Sequence, residues 1–297
     1  CGAIKPSKEL NKLLNKLNKD SSVTVLTETT ANIYAKKFIP CIDRTLERIG
    51  SDPKFIPEII ITIGNSIISK KIKTLLRKYN PIHHWHIEKT DRAQDIFSSL
   101  TQLIPISPTS FFNQFNTLLN LKNNSEFGKT WFKEHEIAEK NHNEFLETCS
   151  WSDLKAHQLI QTHLPLKCNL QMGNSSSVRY IQLFQNKSDV KYNGNRGVSG
   201  IDGTSSTALG AAIVNNNPTV LVTGDLSFIY DINALWNQSI PDNLKIIVVN
   251  NEGGGIFKII PGPKETPYTK EFFETKHNAN LKDLAKAHKI KFNSTDN

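Results

Sequence analysis

Residues 219–227 read Thr-Val-Leu-Val-Thr-Gly-Asp-Leu-Ser, and residues 245–255 read Lys-Ile-Ile-Val-Val-Asn-Asn-Glu-Gly-Gly-Gly. Each stretch begins with a run rich in β-branched residues, which predicts a buried strand of a parallel sheet, and then changes to polar residues and glycine. The sequence between them is long enough for one helix and short loops, so together they predict a right-handed β-α-β crossover. Such a crossover brings the carboxyl ends of both strands, and with them Asp225 and Asn251, to one crevice.

The polar residues that follow these two strands are of the types that bind a divalent cation. Asp225 offers a carboxylate oxygen, Asn251 offers an amide oxygen, and the glycines allow the carbonyl of Gly253 to turn inward. With phosphate oxygens and a water they would complete the octahedron that Mg²⁺ prefers. The backbone N–H groups of Leu226 and Ser227 open the next helix, where a diphosphate would bind. An ordinary strand-to-helix turn explains either element alone, but the spacing of the pair favours a metal site.

Alternating helix and strand patterns continue on both sides of this crossover. They predict an α/β fold of two doubly wound, mainly parallel sheets, with one domain in residues 1–112 and the other in residues 113–297. The boundary lies in a segment rich in Pro, Ser and Asn. In the first domain, Ile59–Ile63 reads as a strand that is buried on both faces. Val23–Leu26 reads as a shorter strand, and residues 31–48 read as a helix.

Composition limits the classes of function. The 297 residues carry 36 Lys and Arg against 28 Asp and Glu, a formal net charge of +8. Because the basic residues are scattered, this charge favours small anionic ligands over nucleic acid. Four cysteines without CxxC spacing suggest a reducing cytoplasm, and the apolar runs are too short to cross a membrane. His83, His84 and His86 have no Cys or carboxylate partner in view, so packing at a strand end is favoured over metal binding.

The pair of motifs around Asp225 and Asn251 resembles the metal-binding motif of thiamine-diphosphate enzymes. Further motifs sharpen the resemblance to one branch, the 2-succinyl-5-enolpyruvyl-6-hydroxy-3-cyclohexene-1-carboxylate synthases of menaquinone biosynthesis. Similar sequences carry, in this order, Gly173-Asn-Ser-Ser-Ser-Val-Arg179, Asn195-Arg-Gly-Val-Ser-Gly-Ile-Asp-Gly203, Gly224-Asp-Leu-Ser-Phe228 and Asn250-Asn-Glu-Gly-Gly-Gly-Ile-Phe257. More weakly, Gly64-Asn-Ser-Ile-Ile-Ser-Lys70 and His84-Trp-His86 are similar to that family's middle domain. The resemblance implies a Rossmann-like middle domain followed by a thiamine-diphosphate-binding fold.

The resemblance implies roles for individual residues. Mg²⁺ or Mn²⁺ on the cofactor diphosphate would be held by Asp225, Asn251 and the carbonyl of Gly253. Ile201 would be an apolar wedge beneath the bent cofactor, although a plain core isoleucine is the alternative. The residues expected to contact the cofactor are Ile201, Asp202, Gly224, Leu226, Ser227 and Ile256.

Substrate contacts are implied in the same way. Ser175 and Arg179 would bind the distal carboxylate of 2-oxoglutarate, and Arg196 and Lys70 would face the carboxylates of isochorismate. Phe257 would line the substrate side of the pocket. A solvated surface charge is the alternative for each cation, and Lys70 is the weakest assignment because other lysines adjoin it.

The implied reaction is decarboxylation of 2-oxoglutarate and addition of the succinyl carbanion equivalent to isochorismate. In this family a glutamate on a separate N-terminal, pyrimidine-binding domain activates the cofactor, and nothing in this chain matches that domain. The chain starts at Cys1 without an initiator Met. We therefore expect a fragment, shortened at its C-terminus as well, that is inactive alone and forms a homodimer or homotetramer when full length. Another thiamine-diphosphate decarboxylase or carboligase and a non-catalytic binding scaffold remain the alternatives.

Overall fold

The computed structural model describes residues 1–91, 94–118, 125–258 and 260–296. The chain divides into two compact units, of which the first contains Cys1–Thr148 with Gln182–Ser188 and the second Cys149–Ile181 with Asp189–Asn297. Each unit combines helices with a sheet in which the paired strands are parallel. The predicted α/β class with parallel sheets is confirmed.

The first unit is a three-stranded sheet with helices on both faces. Its elements are α1 (Lys8–Leu17), α2 (Ile42–Ile49), β1 (Ile59–Ile63), α3 (Lys70–Lys78), β2 (His83–Ile87), β3 (Gln102–Ile104), α4 (Pro108–Leu118) and α5 (Phe127–Thr148). The strand order is β1-β2-β3. Ile61 and Ile63 pack with the apolar faces of α1 and α4. Ile60, which points to the opposite face, packs with α2, α3 and α5.

Two local predictions for this unit are wrong. Val23–Leu26 forms no regular strand, because only Leu26 makes a bridge, to Ile39. The helix expected over residues 31–48 begins only at Ile42. Asn32 and Cys41 both adopt left-handed backbone conformations, with φ of 51° and 52°, which a continuous right-handed helix excludes.

The burial of β1 also differs from the prediction. Ile59 is 49% exposed, and of the five residues only Ile63 is fully buried. The reason is the position of the strand, because β1 lies at the edge of the sheet and pairs with β2 on one side. A continuous β-branched run therefore does not distinguish an edge strand from a central one.

The first compact unit extends beyond the boundary expected between residues 112 and 113. Helix α5 packs against α2, and Trp131 on α5 is 2% exposed within that core. Its indole Nε1 donates to the carbonyl oxygen of Phe55 at 3.2 Å. Since this aromatic anchor ties α5 to the first sheet's helices, the unit continues to Thr148.

The second unit is a four-stranded parallel sheet. Its elements are α6 (Asp153–His163), β4 (Asn169–Met172), α7 (Ser176–Ile181), β5 (Lys191–Gly194), α8 (Thr204–Ile213), β6 (Thr219–Gly224), α9 (Asp225–Tyr230), β7 (Leu244–Val249) and α10 (Leu281–Ala287). The strand order is β5-β4-β6-β7. The chain winds outward from β4 to β5, crosses back through α8 and continues outward from β6 to β7. A switch point therefore lies between β4 and β6, where ligands of open α/β sheets bind.

Strand β6 is the centre of this unit. Val220, Leu221 and Val222 are each at most 3% exposed, as the β-branched pattern predicts for a strand with neighbours on both sides. Helix α8 covers the sheet with Ala208 and Leu209. Strand β7 is at the edge and is mostly half-buried, so the prediction of a fully buried second strand is wrong.

Candidate functional site

The four motifs found in the sequence follow the four strands of the second sheet. Gly173 comes after β4, Asn195 after β5, Asp225 after β6 and Asn250 after β7. Because the strands are parallel, with Met172 opposite both Gly194 and Val222, their carboxyl ends lie along one edge. The motifs that are distant in sequence are thus gathered beside the switch point.

Glycine at position 173 permits the close approach of two strand ends. The amide of Gly173 donates to the carbonyl of Val222 at 2.7 Å. A Cβ at this position would lie 2.8 Å from Oγ1 of Thr223 and 3.0 Å from its Cα, closer than real Cβ contacts allow. The backbone at the switch point therefore has no room for a side chain here.

Asn174 joins the loops after β4 and β5. Its side chain is 2% exposed, and its Nδ2 donates to the carbonyl oxygens of Asn195 at 2.5 Å and Gly200 at 2.6 Å. Its Oδ1 accepts from Nη1 of Arg196 at 2.8 Å. The sequence motif includes Asn174, but its role in holding the second loop was not predicted.

Asp225 lies at the start of α9 and is 2% exposed. Its Oδ1 accepts from the amide of Leu226 at 2.7 Å, and its Oδ2 accepts from the amide of Gly253 at 2.9 Å. The two halves of the pair that the sequence singled out are therefore in contact. Gly253 has φ of 149°, and a Cβ there would lie 2.4 Å from the carbonyl oxygen of Glu274, so glycine is required.

A histidine that the sequence did not indicate reaches the same carboxylate. Nε2 of His277 lies 3.2 Å from Oδ2 of Asp225. His277 stands 52 residues after Asp225, in a segment whose sequence has no strand or helix periodicity. No local pattern could have found this contact, because it depends on how the chain after β7 folds back.

Asn251 is oriented by a different carboxylate. Its Nδ2 donates to Oδ2 of Asp153, the first residue of α6, at 2.9 Å. Of the three expected metal ligands, the structure thus joins Asp225 to Gly253 by a hydrogen bond and joins Asn251 to Asp153. The carbonyl of Gly253 accepts from the amide of Gly255 at 3.0 Å.

The expected ligands are of the types that a hard divalent cation binds. Carboxylate, amide and carbonyl oxygens are the donors that Mg²⁺ takes in proteins, and the loops after β6 and β7 carry one of each. Since Asp153 takes the amide nitrogen of Asn251, the amide oxygen is the end left for a cation. By donor type the residues fit Mg²⁺, although a cation on Oδ2 of Asp225 would have to displace His277.

The expected cofactor residues lie after β5 and β7 and at the junction of β6 with α9. The carbonyl of Ile201 accepts from Oγ of Ser227, which joins the loop after β5 to the start of α9. Asp202 is exposed, and its Oδ1 lies 2.3 Å from where a Cβ on Gly200 would be. The remaining three, all half-buried, are Gly224, Leu226 and Ile256.

The expected substrate residues are brought together only in part. Nη1 of Arg179 donates to the carbonyl of Ser175, which has φ of 69°, so these two residues are adjacent. The ring of Phe257 packs against that of Phe273, with centroids 5.6 Å apart. Lys70 is exposed at the start of α3 in the first unit, so its expected contact with substrate stays a prediction.

Of the three histidines of β2, His84 and His86 are buried and hydrogen-bonded to Thr62, whereas His83 is exposed. Oγ1 of Thr62 lies 3.0 Å from Nε2 of His84 and 2.9 Å from Nδ1 of His86. Burial lowers the pKa of both rings. Among the residues that the structure describes, no group of three or more His, Cys, Asp or Glu side chains is placed to hold a metal ion.

Comparison with known proteins agrees with the motifs. Residues 172–297 match the family "Thiamine pyrophosphate enzyme, C-terminal TPP binding domain". Three curated relatives are all named 2-succinyl-5-enolpyruvyl-6-hydroxy-3-cyclohexene-1-carboxylate synthase. The protein of Flavobacterium psychrophilum is 45% identical over 92% of this chain and 50% of its own length. That of Flavobacterium johnsoniae is 42% identical over 96% of this chain and 51% of its own length. That of Porphyromonas gingivalis is 35% identical over 97% of this chain and 51% of its own length.

The chain spans about half the length of these relatives. Within the described parts of the chain, every helix falls short of the length or apolarity needed to cross a membrane. The resemblance inferred from the motifs is confirmed: residues 172–297 match the C-terminal TPP binding domain of thiamine pyrophosphate enzymes, and the chain is similar to 2-succinyl-5-enolpyruvyl-6-hydroxy-3-cyclohexene-1-carboxylate synthases.

Proposed function

We propose that this chain supplies the diphosphate- and metal-binding half of a cytoplasmic transferase, a 2-succinyl-5-enolpyruvyl-6-hydroxy-3-cyclohexene-1-carboxylate synthase. The enzyme would use thiamine diphosphate and Mg²⁺ to decarboxylate 2-oxoglutarate and transfer its succinyl unit to isochorismate in menaquinone biosynthesis. The observation that carries the proposal is the hydrogen bond between the amide of Gly253 and Oδ2 of Asp225, since it unites the two halves of the cofactor motif.

The chain's own residues would bind and orient the cofactor. Asp225, Asn251 and the Gly253 carbonyl would hold Mg²⁺, and the amides of Leu226 and Ser227 at the start of α9 would face the diphosphate. Thiamine diphosphate supplies the electron sink for decarboxylation when it is bound. The contribution of this half is therefore placement and charge neutralisation.

The substrates are polyanions, and the motif loops carry the cations that would bind them. Arg179 on α7 lies beside Ser175 of the loop after β4, and Arg196 of the loop after β5 donates to Asn174. A guanidinium can bind a carboxylate through two parallel hydrogen bonds, which fixes the orientation of the substrate. These two arginines would account for part of the excess of +8 charges.

Calorimetry of the purified chain with thiamine diphosphate, with and without Mg²⁺, tests the cofactor site. We expect Mg²⁺-dependent binding that Asp225→Asn weakens at least about tenfold, a loss of ~1.4 kcal/mol. Asp242→Asn is the matched control, because it removes an exposed carboxylate just before β7, at the edge of the sheet opposite to Asp225. Binding that is indifferent to Asp225 would instead favour a non-catalytic scaffold.

The substrates are tested by steady-state kinetics. The enzyme for these measurements combines this chain with the additional half that its relatives have. We expect Arg179→Ala to raise the KM for 2-oxoglutarate while the affinity for thiamine diphosphate stays the same. Arg179→Lys keeps the positive charge but cannot form two parallel hydrogen bonds. Its KM for 2-oxoglutarate should therefore lie between those of the unaltered enzyme and Arg179→Ala. An unchanged KM for 2-oxoglutarate, with turnover of a different 2-oxoacid, would point to another decarboxylase or carboligase of this enzyme class.

A further inference from the structure

Asp153 is held firmly at the start of α6. Oγ of Ser152 caps the helix by accepting from the amide of Lys155 at 3.4 Å. Nδ1 of His157 lies 2.6 Å from the carbonyl oxygen of Asp153 and must donate to it, because a carbonyl only accepts. His157 is 1% exposed and its ring stacks on Tyr180, with centroids 4.9 Å apart. A buried ring therefore fixes the first turn of the helix.

The carboxylate of Asp153 determines which end of the Asn251 amide faces it. Its Oδ2 accepts from Nδ2 of Asn251 at 2.9 Å, across 98 residues of sequence. The two ends of an asparagine amide have nearly the same shape, so packing alone does not distinguish them. An ionised carboxylate can only accept, so it pairs with the NH₂ end and turns Oδ1 away from itself.

Asn251 is exposed, and the glycine loop passes along one side of its amide. A Cβ on Gly255 would lie 3.0 Å from Nδ2 of Asn251 and 3.6 Å from its Cγ, so the backbone of the glycine loop passes close beside the amide. The amide of Gly253, in the same loop, is tied to Asp225. Asp153 and Asp225 thus hold the loop after β7 at two points, one through a side chain and one through the backbone.

We propose that Asp153 is a positioning residue that presents the amide oxygen of Asn251 to the Mg²⁺ of the cofactor diphosphate. This inference rests on the proposed function, because it assigns Asn251 to the metal. Asp153 itself touches neither the cation nor the cofactor. Groups that orient metal ligands in this way typically change metal affinity about 10–100-fold when they are removed.

The test compares Asp153→Ala with Asp153→Asn in the 297-residue chain. Calorimetric titration with thiamine diphosphate in excess Mg²⁺ should show affinity lowered about 10–100-fold by alanine. Asparagine restores an acceptor for Nδ2 but also offers a donor to Oδ1, so it keeps the contact without fixing the orientation of the amide. Its affinity should therefore lie between those of the alanine variant and the unaltered chain. In NMR spectra of the ligand-free chain, the side-chain amide signal of Asn251 should shift in the alanine variant and return only in part in the asparagine variant.

Asp283→Ala is the matched control, since Asp283 is likewise an acidic residue in the first turn of a helix of this unit, α10. A loss of affinity equal to that of Asp283→Ala would reduce the effect to helix stability and overturn the positioning role. If Asp225→Asn abolishes binding while Asp153→Ala does not, the positioning role alone fails. If the unaltered chain shows no Mg²⁺-dependent binding, the proposed function fails and the role of Asp153 falls with it.

Discussion

The two units place their polar side chains in different parts of similar architectures. In the first unit, Oγ1 of Thr62 on β1 is hydrogen-bonded to both His84 and His86 on β2, and Arg44 pairs with Glu139 between α2 and α5. In the second unit, the polar side chains named in the motifs follow the carboxyl ends of the strands. The second sheet also has hydrogen-bonded polar side chains on its strands, where Oδ1 of Asn169 accepts from Gln171 and Asn193. The polar groups beyond the strand ends are therefore the feature that marks the second unit as the candidate ligand site.

Glycine shows the same contrast. In the first unit, a glycine that no other residue could replace follows β1. Gly64 has φ of 70°, and a Cβ there would lie 2.6 Å from the carbonyl oxygen of Ala3. In the second unit, Gly173 and Gly253 both permit close approaches at the strand ends. Glycine in the second unit lets the loops of the candidate site approach one another, whereas Gly64 makes room for the distant segment at Gly2 and Ala3.

The largest change in stability is expected when the buried ion pair of the first unit is broken. The side chain of Arg44 is 7% exposed and pairs with Glu139, so Glu139→Gln leaves a buried guanidinium without its counter-charge. We expect the free energy of unfolding to fall by about 3–5 kcal/mol, measured by urea denaturation. Cofactor affinity of the folded protein should not change.

The double variant Arg44→Leu with Glu139→Leu is the control for this prediction. Replacing both partners by apolar side chains removes the uncompensated charge, so stability should recover to within about 1 kcal/mol of the unaltered chain. If Glu139→Gln alone lowers the free energy of unfolding by less than about 1 kcal/mol, water must reach the guanidinium of Arg44.

A smaller effect is expected at the switch point of the second unit. Gly173→Ala places a Cβ 2.8 Å from Oγ1 of Thr223, which forces the ends of β4 and β6 apart. We expect a loss of about 1–3 kcal/mol in unfolding free energy, together with weaker binding of thiamine diphosphate.

The matched control is Gly210→Ala in α8, where a Cβ would meet nothing within 4 Å. Alanine in a helix interior should raise the unfolding free energy by about 0.5–1 kcal/mol and leave cofactor affinity unchanged. Equal behaviour of the two variants would contradict the assignment of a close approach at Gly173.

The smallest expected effect is a pH dependence carried by the first unit. Burial lowers the pKa of His142 from 6.5 to about 4. Between these values the unfolded chain binds more protons than the folded one, so His142 contributes stability at neutral pH that is lost as the pH falls through this window. His142→Phe should reduce the slope of unfolding free energy against pH there by at most about one proton.

Urea denaturation at several pH values measures both slopes. The ring of His142 lies 5.4 Å from that of Phe184 at an angle of 63°, so phenylalanine can keep the edge-on contact. Parallel curves for the two proteins would show that the imidazole charges freely in the folded state.

Local patterns predicted the second unit better than the first. The strand β6 and the glycine loops were visible because each depends on a short run of residues. The expected strand at Val23–Leu26 failed because a strand also needs a neighbour, and only Leu26 found one. The helix boundary at Ile42 failed because two left-handed residues, Asn32 and Cys41, carry no strong sequence signal.

The motifs of the candidate site could be predicted from the sequence, but the residues that hold those motifs in place could not. Asp225, Asn251 and the Gly253 carbonyl were expected to share a cation, which stays a prediction, and the structure brings the amide of Gly253 to Asp225. Asn174, Asp153 and His277 were missed because each acts through contacts between distant segments, the longest spanning 98 residues. Such contacts follow from the packing of whole elements, which periodicity does not report.

Because β7 lies at the edge of the sheet, the candidate ligands that follow it should open locally at a different rate from the one that follows β6. Asp225 follows β6, which has a paired strand on each side, whereas Asn251 and Gly253 follow β7, which pairs with β6 alone in the described chain. Edge backbone opens more readily, so its amide hydrogens should exchange with solvent sooner. A ligand that bridges the two loops would therefore slow exchange along β7 far more than along β6, which makes hydrogen exchange a direct report of occupancy.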